Sequence, residues 1–218
     1  MNGHETEIKN NKEMIPLEQY LAQFAAADPL EMSQRSGADY DPESRSFHLF
    51  FFSRPCSITW PDFGVSCDDG AEVYCPLVSA NQAKIFVLRY LLGGVRAPAS
   101  GRFMTYREVP WGEVYYRQFN GRCQKRLEFG WGTSKKKLEE FECLCRKMNF
   151  RRIDGADAAF EFEILPGFYI RFLIWLGDDE FPPSSQILFS DNFAAAFHAE
   201  DLVVACEIAT GALKACLK

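Results

Sequence analysis

No CxxC pair occurs among the eight cysteines, which stand at 56, 67, 75, 123, 143, 145, 206 and 216. The short spacings that mark zinc and iron–sulfur ligands are therefore unmet, and no metal site is expected from spacing. No window approaches eighteen consecutive apolar residues, so no transmembrane helix is expected. Residues 1–13 are polar, without the apolar segment of a secretory signal, so a cytoplasmic location is the expectation. In that compartment the cysteines should stay reduced and mostly buried, behaving as small hydrophobes. Histidine is scarce, with three in all. His4 lies in the polar tail, His48 on the polar parity of an aromatic strand and His198 at a helix boundary. None has an evident partner, GxSxG is absent, and Gly93-Gly94 follows a helix instead of opening one. Serine-hydrolase and phosphate-loop chemistry both lose their usual signatures.

Aromatic residues are abundant by contrast. The 218 residues include twenty Phe, with 47% hydrophobic and 25% charged residues overall, a balance suited to a folded core. The pattern centres on Phe160–Pro183. Phe160, Phe162 and Ile164 alternate with Glu161 and Glu163. Beyond Pro166-Gly167, the residues Phe168, Ile170, Phe172, Ile174 and Leu176 share one parity. Two such runs about a Pro-Gly turn predict a hairpin with one row of side chains buried. Leu173 and Trp175 lie on the other parity, which predicts a central strand covered on both faces.

Residues 1–14 read as a disordered tail and residues 15–218 as a single α+β domain. Leu17, Leu21 and Phe24 have helical spacing, and Asp28-Pro29 starts a second, short helix. Ser46–Phe52 alternates as a strand, Cys56–Trp60 follows as another, and Asp68-Asp69-Gly70 signals a hairpin between Val65–Cys67 and Ala71–Cys75. An antiparallel meander over 46–75 is expected to share a sheet with the Phe160–Leu176 hairpin, covered by helices. Ser79 and Gln82 suggest a capping box for a buried central helix near 80–92. Phe103–Val109 reads as a short strand. Ser134 should cap a helix carrying Leu138, Phe141, Leu144, Cys145 and Met148 on one face, with Cys143 opposite. Asp191 should cap a short helix, and Leu202, Cys206, Ala209, Leu213 and Cys216 form the stripe of the last.

Charge is segregated along the chain. Residues 117–152 hold eleven Lys/Arg against four Asp/Glu, and residues 153–218 hold three against eleven. Such asymmetry marks an anion site, or else pairs two halves of one fold; the second is the plainer reading. As an anion patch, Lys125, Arg126, Lys135 and Lys136 are suited to the acidic edge of a tetrapyrrole, with Phe129 and Trp131 to stack on a flat ring. Nucleic acid is disfavoured by a pI near 5.2. The acidic corner Asp178-Asp179-Glu180 has three readings. It is a catalytic carboxylate pair, a hard-cation site, or a structural turn in which one acid takes Arg35 or Arg107 as partner.

Several stretches together resemble a bacterial domain family of unknown function, common in anaerobes. They are Arg35-Ser36-Gly37-Ala38 with Tyr40-Asp41, Tyr106–Pro110 with Gly112, and Leu165-Pro166 leading through Trp175 to Gly177–Pro182. Leu188–Asp191 and Ala199–Leu202 complete the series, and the likeness spans roughly 20–215. Some relatives are fused to a four-cysteine iron–sulfur domain like that of corrinoid iron–sulfur proteins. The resemblance thus implies corrinoid, one-carbon or redox metabolism, with a corrinoid or iron–sulfur protein as partner and a corrinoid or other tetrapyrrole as cofactor. This chain lacks the appended motif, and the family supplies no catalytic residues. The preferred function is a non-catalytic cofactor- or partner-binding module, without nucleic acid or membrane. The alternative is a small hydrolase-like or metal-assisted enzyme using the three acids.

Overall fold

The computed structural model describes residues 16–67 and 74–217. The tail expected over 1–14, with His4, and the turn expected at Asp68-Asp69-Gly70 lie outside the described residues. The fold is α+β, with two sheets whose strands pair antiparallel. Its described residues gather into two compact units, one from within 1–49, 54–68 and 75–96, the other from within 50–53, 69–74 and 97–218.

The first unit starts with a helix over residues 16–26 (α1) and continues in Pro29–Ser36 (α2). Asp28 caps α2 by accepting from Leu30 N at 2.8 Å, and Gly37, at φ 80°, closes it. Strands β1 (Asp39–Asp41), β2 (Ser46–Phe51), β3 (Arg54–Thr59) and β4 (Val65–Cys67) follow in spatial as well as chain order. Phe47, Leu49 and Phe51 are buried and His48 exposed, so the alternation in β2 holds. Phe24 of α1 meets Phe47 at 5.8 Å and Phe63 edge-on at 5.4 Å. A short helical turn, Pro76–Ser79 (α3), precedes the buried helix Asn81–Gly93 (α4). The capping box expected from Ser79 does not form there. Pro76 starts a turn three residues earlier, Ser79 becomes its last residue, and Ala80 is left at the N-cap of α4.

The second unit holds a five-stranded sheet. Its strands are β5 (Phe103–Thr105), β6 (Arg151–Arg152), β7 (Ala158–Leu165), β8 (Phe168–Trp175) and β9 (Ser184–Ser190), in the order β5-β9-β8-β7-β6. The expected hairpin is β7–β8, with Phe160 opposite Phe172, Phe162 opposite Ile170 and Gly167 at φ 81° in the turn. Contrary to expectation, the hairpin and the N-terminal meander build separate sheets. The hairpin finds its further partners in β9 and β6, segments that follow or closely precede it in the chain. The strand expected over 103–109 stops at Thr105, because Glu108 folds back to accept from Thr105 N at 2.7 Å and turns Tyr106–Glu108 into a 3₁₀ helix.

Helices α5 (Gly112–Phe119), α6 (Lys125–Trp131), α7 (Lys135–Lys147), α8 (Phe193–Ala196) and α9 (Ala199–Ala215) complete this unit. A single π-helical turn, Asn120–Gln124, joins α5 to α6. Ser134 caps α7 as expected, and Phe141 meets Phe160 edge-on at 5.8 Å. Asp191 does not cap α8. Its carboxylate accepts from Ser100 instead, and Asn192 occupies the N-cap.

On the parity opposite Phe160, Glu161 is 7% exposed and receives Arg151 from β6 and Arg171 from β8, the latter at 2.8 Å. Burial pushes its carboxyl pKa up, but the two guanidinium groups outweigh this and hold it below the ordinary 4.5. A carboxyl depressed in the folded state stabilises fully above its unfolded value, and that contribution fades as pH falls through the folded value. Glu161→Gln should therefore cost about 2 kcal/mol at neutral pH, since both arginines keep access to water and soften the loss. The gap from wild type, read from urea midpoints, should close toward acid. A gap independent of pH would mean the ion pairs contribute nothing.

Candidate functional site: a three-thiol cluster

The antiparallel register of β3 and β4 sets Cys56 directly opposite Cys67, and Ser57 opposite Ser66. Directly opposed side chains on one face have their Cβ atoms about 5 Å apart, close enough for sulfur to meet sulfur. Both cysteines lie on the inward parity of their strands, 4% and 9% exposed. Cys75, the N-cap residue of α3, is also buried and adds a third thiol. The three Sγ atoms lie within 4.8 Å of one another, and Cys67 Sγ stands 3.1 Å from Cys75 Sγ. All three belong to the first unit.

The three thiols are electrostatically unequal. Donation from the Cys56 and Cys67 S–H groups, helped by the backbone N–H groups of Leu77 and Val78, draws the Cys75 pKa well below the usual thiol value. Cys56 is driven the other way, by its hydrogen bonds to Cys67 and Cys75 and by burial. The first proton thus leaves easily and the last with difficulty, as in any site where one negative charge must be shared among close sulfurs. Such a site offers soft, polarisable donors to thiophilic metals, and its donors among the described residues are all sulfur. A second pair of touching thiols, Cys123 and Cys206, is buried in the other unit, but Cys123 Sγ points to the Val203 carbonyl and only two sulfurs meet.

Spacing rules missed the cluster because they look for two ligands on one tight turn. Here the hairpin brings together residues eleven apart. The usable signal was the turn itself: Trp60-Pro61-Asp62-Phe63 lies midway between Cys56 and Cys67, so a hairpin centred there pairs them. Six of the eight cysteines are buried, as expected for thiols acting as small hydrophobes, and Cys143 is exposed where Cys145 is buried.

At the acidic corner the chain makes a tight turn that Asp178 fastens without an arginine. Asp178 Oδ1 accepts from Glu180 N at 2.9 Å and Phe181 N at 2.6 Å, closing a tight turn on itself. These backbone bonds hold the Asp178 carboxyl below its usual value. Asp179 and Glu180 are exposed and make no ion pair among the described residues. Arg35 donates to the Leu91 and Leu92 carbonyls instead, and Arg107 stacks on Tyr116 at 3.8 Å and faces Glu113 at 3.5 Å. The structure does not bring either arginine to the corner.

Within the basic span, opposite charges meet. Arg122 pairs with Glu200 at 2.9 Å and Glu207 at 2.8 Å, and Arg126 approaches Glu207 at 3.4 Å. Lys125 bonds to the buried Glu128 at 2.6 Å. Arg151 bonds to Glu161, so the basic and acidic halves bind each other. Lys135 and Lys136 remain exposed on the first turn of α7. Trp131 is buried against Phe141, whereas Phe129 is 57% exposed with the Lys125 ammonium 5.5 Å from its ring. An open hollow of about 450 Å³ lies nearby in the chain's second unit, lined by Trp111, Tyr115, His198, Ala199 and Glu200. Trp111, 73% exposed, takes a left-handed conformation at φ 66°.

A protein family described as a domain of unknown function (DUF3786) matches residues 28–212 of the chain. No curated protein and no solved structure matches it. Among the described residues no helix is long and apolar enough to cross a membrane.

Proposed function

The chain belongs to that family, and we propose that it is a non-catalytic module that binds a thiophilic cofactor through Cys56, Cys67 and Cys75. One observation carries this reading: three buried sulfurs converge to within 4.8 Å of one another, a density of soft donors that core packing does not require. The setting we assign is corrinoid, one-carbon or redox metabolism in an anaerobic bacterium, with a corrinoid or iron–sulfur protein as partner and the cytoplasm as location. The resemblance of its sequence stretches supports that setting. Helix α5 supports a partner, since it turns Val114 and Tyr115 toward solvent beside Trp111. The enzyme reading has no comparable support: Asp178 is engaged in its own turn, and Asp179 and Glu180 make no ion pair among the described residues.

A thermal-shift panel on the reduced protein tests the reading, with zinc(II), copper(I), iron(II) plus sulfide, cobalamin and heme as separate probes. The thiophilic metals should raise the melting temperature by several degrees, and Cys67→Ser should abolish the rise. A tetrapyrrole alone raising it would move the cofactor site to the aromatic hollow. No shift with any probe would reject the cofactor reading and leave the partner reading alone.

A further inference from the structure

We propose that the three thiols hold one d10 ion, zinc(II) or copper(I), as a mononuclear centre, and not an iron–sulfur cluster. The inference rests on the thiol-cofactor reading above and narrows it by geometry. A metal–sulfur bond of about 2.3 Å places two thiolates about 3.8 Å apart on a tetrahedral ion and about 4.0 Å apart on a trigonal one. The sulfurs of Cys56, Cys67 and Cys75, none more than 4.8 Å from another, already span that size. Cys67 and Cys75, whose sulfurs are 3.1 Å apart, have only to open slightly as the ion enters. An iron–sulfur cubane binds each cysteine through a different iron. The metal–metal edge is then added to every sulfur–sulfur separation, and the triad is too tight for it.

The scaffold favours holding this spacing. Two ligands sit on paired strands, where the register of Cys56 against Cys67 fixes their separation. The third is set by the backbone at the start of α3, which Pro76 pre-forms. Spreading the sulfurs to a cluster's dimensions would require pulling β3 from β4. Three thiolates complete a trigonal copper(I) site, and they leave one position of a tetrahedral zinc site for water or an added thiol.

Cobalt(II) serves as the coloured probe, added to the reduced full chain without oxygen. It should bind at one equivalent, with an intense thiolate-to-metal charge-transfer band. Zinc(II) should bleach that band if the site prefers a tetrahedral ion, and copper(I) if it prefers a trigonal one. Each of Cys56→Ser, Cys67→Ser and Cys75→Ser should weaken binding about a hundredfold or more. Because a serine variant can fail to fold, X-ray absorption on the wild-type zinc or copper form gives an independent count. It should show three sulfurs near 2.3 Å and no metal–metal vector. More than one iron per chain with acid-labile sulfide and a metal–metal vector would overturn the mononuclear centre while leaving the thiol-cofactor reading intact. No retained metal of any kind, or recovery of a Cys67–Cys75 disulfide under reducing conditions, would overturn both.

Discussion

Phe172→Ala is expected to remove about 3–5 kcal/mol of folding stability, a large part of what a domain of this size possesses. Phe172 is fully buried on the central strand β8, opposite Phe160 on β7 and Ile187 on β9, with Phe162 edge-on at 5.0 Å. Alanine would leave a void bordered by the three strands β7, β8 and β9. Strands held by ladder bonds on both sides cannot close around it, so the cavity cost adds to the lost burial. Phe172→Leu keeps most of the volume and should cost well under half as much. Urea unfolding would show both as midpoint shifts at constant slope. A shift below about 1 kcal/mol for alanine would mean the sheet is not the core on which this unit depends.

The second large effect concerns the thiols. If the protein is saturated with its ion at about a thousand times the dissociation constant, stripping the metal should cost about 4 kcal/mol. For a chain of this length that corresponds to a fall of roughly 8–16 °C in melting temperature. The effect should appear with a chelator strong enough to compete for a thiolate site, and should fall to about 1.4 kcal/mol or less in Cys56→Ser, which lacks one ligand. Cys145→Ser serves as the contrast. That thiol is fully buried on α7, and burial holds its pKa well above the usual value. It should lose stability through packing, yet keep the whole metal-dependent increment. Equal chelator effects in the two variants would detach the stabilisation from the cluster.

The elements legible in the sequence were those whose pattern repeats locally. Alternation placed β2, β7 and β8, Asp28-Pro29 placed the start of α2, and Ser134 placed the start of α7. Errors came where two local signals competed. Ser79-x-x-Gln82 is a plausible capping box, but Pro76 three residues earlier determines where the helical turn starts. Glu108 looked like part of a strand until its carboxylate reached Thr105. Beyond the β7–β8 hairpin, which strands share the second sheet was not legible, since β5 meets β9 across some eighty residues of chain.

The candidate site divides the same way. Asp178, Glu108 and Asp191, all within the stretches that carry the family resemblance, fasten turns and loops through backbone bonds. Their chemistry is visible in sequence as charge, and their structural task is not. The thiol cluster shows the reverse. Cysteine at 56, 67 and 75 follows no spacing rule, and it becomes a site only through strand register and the position of α3.

The edges of the five-stranded sheet have a further consequence. They are β5, three residues long, and β6, two residues long and consisting of Arg151 and Arg152. A sheet rich in phenylalanine would otherwise offer a sticky template on which neighbouring molecules could add strands. Brief margins, one of them made of two ion-paired arginines, deny an incoming strand the run of free amides it requires. The aromatic interior can thus be large without ending in a long strand edge that would seed such addition.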